Sequence, residues 1–243
     1  MRVAIITPYY RESIETLRRA HDSVRAQTHP ATHFLIADGH PQEAARHWQT
    51  PHIELPVAHG DWGDTPRAIG TIAALSEGYE AIAFLDADNW YLPRHIEAMI
   101  AAHRQTGKKL ILASRALYRT DLTYMYDFPE SDRLADTNCF FLVGEAAWIV
   151  PVTAIKPKAA ADVGDRVLWA ALRHRGFKHV RVKEPTVAYV STWRASYTSI
   201  GEAPPPDATK DMIGEELARW LATASEQERA LWSTWLFGAP NRW

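Results

Sequence analysis

Asp86-Ala87-Asp88-Asn89-Trp90 follows directly on the apolar run Ala81-Ile82-Ala83-Phe84-Leu85, so two carboxylates two residues apart emerge from the end of a buried strand. A carboxylate beside a core strand is costly unless a cation, strong hydrogen-bond donors or solvent meets it. Mg2+ or Mn2+ would satisfy both groups, because each takes oxygen ligands and commonly joins one or two carboxylates to the phosphates of a substrate. Asp86 and Asp88 are therefore the candidate metal ligands. The alternative is a loop whose aspartates only cap the helix that follows.

The elements that must position this pair alternate along the chain. Val3 to Ile6 is apolar and Thr7-Pro8-Tyr9-Tyr10 breaks it, after which Ile14, Leu17, His21 and Val24 share one helical face from Ser13 onward. A second apolar run, His33 to Ala37, ends in Asp38-Gly39-His40-Pro41, and a third, Ile53 to Val57, leads into residues 59–64. Pro66 suits the first turn of a helix through Leu75, and the fourth strand carries Asp86 and Asp88. This alternation predicts βαβ units and an α/β fold with a mainly parallel central sheet. Ligands bind at the carboxyl ends of such strands, where Thr7-Pro8, Asp38, Asp64 and Asp86/Asp88 converge.

Further on, the sequence predicts a helix from Pro93 to Thr106 capped by Gly107, and a strand over residues 110–113. An aperiodic stretch runs from Tyr118 to Asp136, followed by a strand over 138–143 and a helix opening at Gly164-Asp165-Arg166. Two short strands are expected at 180–182 and 186–190. The domain is expected over residues 1–203, with a helical tail over 204–243 that carries Trp220, Trp232, Trp235 and Trp243.

Composition excludes several classes. With 27 Lys+Arg against 29 Asp+Glu, the chain has no positive field for nucleic acid. The single cysteine, Cys139, rules out an internal disulfide framework and cysteine-based zinc sites. Strand residues begin at Arg2 with no signal-peptide layout, and no apolar run reaches the ~18 residues of a membrane span, so a cytoplasmic protein is expected.

Taken in order, Ile6-Thr7-Pro8-Tyr9-Tyr10, residues 15–20 with 23–28, Ile36-Ala37-Asp38-Gly39, Asp86-Ala87-Asp88 and residues 164–168 resemble an inverting glycosyltransferase of family 2 with the GT-A fold, a Rossmann-like sandwich. The resemblance covers roughly residues 2 to 190. It implies a nucleotide-sugar donor, UDP-linked by first preference, and a Mn2+ or Mg2+ ion at Asp86 and Asp88. It further implies that Thr7, Pro8, Tyr9 and Asp38 hold the nucleoside, that Arg67 lies near the diphosphate, and that Asp165 is the catalytic base. The acceptor would be a glycan, a lipid-linked group or a small molecule. Departures stand at Ala37-Asp38 and Gly164-Asp165, where many relatives carry acidic pairs, and at Thr65-Pro66-Arg67-Ala68-Ile69-Gly70, where an Arg-Asn-x-Gly-like cluster is usual. No histidine follows His179, which leaves water, the donor or Glu202 for a third metal ligand. Residues 191–206 are expected to form a lid. Aromatics such as Trp90, Tyr118 and Tyr124 could stack on sugar faces. The tail would dock on the domain, form a homodimer contact, or rest on the inner membrane face beside a lipid-linked acceptor. Two other readings are a noncatalytic nucleotide-sugar or glycan-binding protein and a sugar-nucleotidyltransferase. The latter normally needs a glycine-rich phosphate loop where this chain has Thr7-Pro8-Tyr9-Tyr10.

Overall fold

A computed structural model describes residues 1–132, 134–211 and 215–230. β1 (Val3–Tyr9) is buried at every position, as a strand covered on both faces must be. It pairs in parallel with β2 (Thr32–Asp38) on one side and β4 (Ala81–Phe84) on the other, and β3 (His52–Leu55) extends the block beyond β2. The crossovers are α1 (Ile14–Arg25) and α2 (Asp64–Ser76). Ser13 fixes the start of α1 by accepting the Thr16 N–H at 3.2 Å.

Beyond β4, the short β5 (Trp90–Tyr91) leads to α3 (His95–Thr106), which Gly107 closes in the left-handed conformation as expected. The chain continues through β6 (Leu110–Tyr118), β7 (Tyr124–Asp127), β8 (Phe140–Val143), α4 (Gly164–His174), β9 (His179–Val190), α5 (Arg194–Thr198) and α6 (Glu215–Thr223). Among the described residues the sheet runs β3-β2-β1-β4-β8-β6-β9-β5, with β7 on β6. Strand alternation divides the core. Ile6, Phe84 and Leu142 face α2 and α4, while Ile5, Ala83 and Phe141 face α1 and α3.

Three local expectations change. The stretch from Tyr118 to Asp136 contains β7, so β6 and β7 form a hairpin. The two strands expected at 180–190 are one, β9, whose extra residues are absorbed where the register against Ser114 and Arg115 shifts. Pro185, which has no N–H to give, sits at that irregularity. The strand expected from Asn138 begins at Phe140, because Asp136 caps a 3-10 turn over Thr137–Cys139. Of the tail tryptophans, Trp220 lies on α6, none of whose residues is buried, and Trp232, Trp235 and Trp243 lie outside the described residues. No helix among the described residues is long and apolar enough to cross a membrane.

Candidate active site

The carboxyl ends of β1, β2 and β4 open into one cavity of about 540 Å³. Pro8, Tyr9 and Tyr10 form its floor, Asp38 stands to one side, and Asp86 and Asp88 stand to the other. The loop over residues 59–63 closes over β1 because Gly63 takes φ 85°, and a Cβ there would come within 2.9 Å of the Pro8 ring. Asp38 is 5% exposed and already oriented: His59 places Nδ1 at 2.6 Å from Oδ1, and its backbone N–H donates to both carboxylate oxygens. Thr7 lies elsewhere. Alternation puts it on the Ile5 face, fully buried, with Oγ1 2.7 Å from His33 Nε2. Tyr9 is largely buried as well. Its hydroxyl lies 2.7 Å from His52 Nε2 and accepts the Gln42 N–H at 2.9 Å, which leaves the half-exposed Tyr10 as the freer aromatic at the cavity.

The acidic side rests on a buried charge network. Arg67 on α2 donates Nη2 to Asp86 Oδ1 at 2.5 Å and Nη1 to Asp64 Oδ1 at 3.1 Å, and Lys156 pairs with Asp64 Oδ2 at 2.5 Å. Asp64 is thus buried beneath the cavity, where it holds Arg67 in place. Asn138, fully buried on its 3-10 turn, donates Nδ2 to Asp86 Oδ2 at 2.7 Å and accepts the Asp86 N–H at 2.6 Å. Both oxygens of Asp86 are therefore engaged within the protein. Asp88 differs, because burial and the neighbouring Asp86 push its carboxyl up to about 7, with Lys210 acting in the opposite direction. Burial and Asp86 outweigh the pull of Lys210 there. The described residues hold no group of three or more His, Cys, Asp or Glu suited to a metal. A divalent ion of the Mg2+ or Mn2+ type still fits, since it needs only one or two protein carboxylates and takes its other oxygens from phosphate and water. Asp88 would be its principal protein ligand, assisted by the free lone pairs of Asp86. Glu202 is held elsewhere by Arg119, at 2.5 and 2.9 Å.

Asp165 opens α4, and its Oδ1 accepts the Arg166 N–H at 2.7 Å. Burial foremost, then the charges of Asp136 and Asp64, push its carboxyl up to about 7, against the pull of Arg166. The sign of the stability effect follows. The unfolded chain releases this proton near the ordinary carboxyl value of ~4, whereas the folded chain holds it to about 7, so stability falls as pH rises across that window. Subtracting the Asp165→Asn unfolding profile from that of the wild type should isolate this loss between about pH 4 and 7; identical slopes would contradict the shift.

Gly164 explains why no acidic pair stands before α4. A Cβ at this position would lie 2.0 Å from Asp64 Oδ2, in the space the buried carboxylate occupies. Gly164→Ala must push Asp64 off Lys156 and Arg67, and should cost ~2 kcal/mol or more, a Tm drop of roughly 4–8 °C for a chain of this size. An unchanged Tm would show that the network yields freely.

The model of the glycosyl transferase family 2 matches residues 4–149, which span β1 through the turns after β8. The chain belongs to glycosyl transferase family 2. Its architecture is the GT-A fold, and solved structures agree on it. The crystal structure of S. aureus TarS aligns over 100% of this chain and 50% of its own, at 12% identity and TM-score 0.59. Crystal structures of S. aureus TarS 1-349 with UDP and with UDP-GlcNAc each cover 96% of this chain, and 75% and 79% of theirs, at 13% and 14% identity and TM-scores of 0.59 and 0.58. This chain thus spans half of the first TarS chain. No curated protein matches it.

Sequence reasoning missed two residues of this family 2 transferase. Asn138 reaches Asp86 across 52 positions, and the Asp-Thr-Asn spacing signals only a capped turn. Lys210 lines the cavity from the far end of the chain, and nothing near it in sequence marks it.

Proposed function

We propose that the protein transfers a sugar from a nucleoside diphosphate to an acceptor hydroxyl in one inverting displacement. The observation that carries this reading is the polarity of the cavity across the strand order. Asp38 ends β2 and the Asp86/Asp88 pair follows β4, on opposite sides of β1. Two strand spacings set them about 10 Å apart, the span from a nucleoside to its diphosphate. Asp38, already oriented by His59, would accept from base or ribose donors beside Pro8 and Tyr10. Arg67, buried and paired on both sides, would lend its remaining field to the phosphates. A Mn2+ or Mg2+ ion bound at Asp88 and Asp86 would neutralise charge on the departing diphosphate. Asp165 would take the proton of the acceptor hydroxyl as its oxygen attacks the anomeric carbon.

UDP is the favoured nucleotide, since TarS crystal structures of this fold hold UDP and UDP-GlcNAc. Trp90 and Tyr118 lie 4.6 Å apart between ring centroids, and the half-exposed Tyr124 packs edge-on to Tyr118, a surface suited to an acceptor sugar. The test is release of nucleoside diphosphate from UDP-, GDP-, dTDP- and CDP-sugars with Mn2+ present. Release from one donor class supports the reading, and release from none overturns it. With the active donor, kcat/KM should rise with pH through about 7 as Asp165 ionises.

A further inference from the structure

Lys210 is the last residue of a strap that leaves β9 and returns to the site. Thr192 and Lys210 are tied by the Lys210 N–H, which donates to the Thr192 carbonyl at 3.0 Å, and the Arg194 N–H donates to the Lys210 carbonyl at 2.9 Å. Arg194 also pairs with Asp211 at 3.1 Å. The strap is fastened to the β6–β7 hairpin by Arg119 on Glu202 and by the Thr120 hydroxyl, which donates to Asp207 at 3.1 Å. In this conformation the residues expected as a lid form one wall of the cavity, and the strap ends in a cation. The Lys210 ammonium stands 4.8 Å from the ring centre of Trp62 and 5.5 Å from that of Trp193. Two aromatic faces thus hold the side chain against the cavity that Asp86 and Asp88 also line.

We infer that Lys210 is a diphosphate-binding residue, which brings a fixed positive charge from the C-terminal strap onto the leaving group of the donor. This rests on the reading of the cavity as a nucleoside-diphosphate site and names a partner within it. The buried Arg67 is already paired with Asp64 and Asp86. Lys210 has no ion-pair partner of its own among the described contacts; aromatic faces hold it, and they leave its ammonium protons free to donate. The chemistry recognised is a phosphate oxygen, so the nucleobase is immaterial.

The test is calorimetric titration of wild type, Lys210→Met and Lys210→Arg with UDP, GDP and inorganic pyrophosphate, each with Mn2+. Methionine keeps an apolar stem between Trp62 and Trp193 and removes only the charge. Lys210→Met should bind pyrophosphate and the accepted nucleotide ~10-fold or more weakly, with Lys210→Arg restoring most of the loss. The matching nucleoside, which has no phosphate, should bind both variants as it binds wild type. Equal pyrophosphate affinity in wild type and Lys210→Met overturns the inference and leaves the site reading intact. An equal loss for nucleoside and nucleotide, with a lowered Tm, assigns Lys210 to holding the strap and overturns it too. Failure of wild type to bind any of the three ligands overturns the site reading itself.

Discussion

Asp165→Asn is expected to lower turnover by ~100-fold or more while leaving nucleoside-diphosphate affinity within about 2-fold of wild type. Asparagine keeps the shape and the acceptor oxygen that receives the Arg166 N–H, so the start of α4 should survive. What it loses is the capacity to take a proton. The carboxyl suits that task, since burial, Asp136 and Asp64 bring it to about 7, close to the working pH at which a general base is most effective. The Asp38 and Asp88 ends of the cavity do not touch Asp165, which is why binding should be spared. Single-turnover rates and nucleotide titration on one variant preparation would separate the two effects. Near-normal turnover would remove Asp165 from the chemistry.

Asp88→Ala should lose metal-linked nucleotide binding together with ~100-fold or more of turnover. Asp86 alone should not replace it, because Arg67 and Asn138 already take one lone pair on each of its two oxygens. The same substitution should leave the ligand-free protein as stable as wild type or more so at pH 8, where an ionised Asp88 is partly desolvated beside Asp86 at a cost. A variant that is less active yet no less stable would separate a functional carboxylate from a structural one. Asn138→Ala is a milder counterpart. It strips the clamp from Asp86 and leaves the Asp86 N–H without its acceptor at 2.6 Å, so ~1–3 kcal/mol of stability should go with part of the activity.

The parallel block was legible because its strands carry continuous apolar runs, although β1 continues past the expected break at Thr7-Pro8 and pairs with β2 as far as Tyr9. Local pattern also marks the caps at Ser13 and Gly107. The second half was less so. β8 enters the sheet between β4 and β6, and β9 swallows an irregularity around Pro185, outcomes fixed by pairing across tens of residues. At the site, motif position indicated which residues gather but not which way they face. Thr7 follows strand alternation into the core and bonds His33, and Asp64, read as a strand-end carboxylate, is a buried counter-ion to Arg67 and Lys156. Gly164 reads as a departure from the family pattern until Asp64 is seen in the space beside it. Lys210 and Asn138 carry no local signal, since their meaning depends wholly on what the fold brings near.

Thermal unfolding of wild type and Asp88→Ala with UDP, GDP, dTDP and CDP, each with and without Mn2+, tests most directly whether this cavity is a metal-assisted nucleoside-diphosphate site. A nucleotide at ~100 times its dissociation constant adds ~2.7 kcal/mol of stability. The predicted result is a shift with one nucleotide, UDP first, that grows with Mn2+ and loses that metal-dependent part in Asp88→Ala. No shift with any nucleotide, or the same Mn2+-dependent shift in the variant, would contradict it.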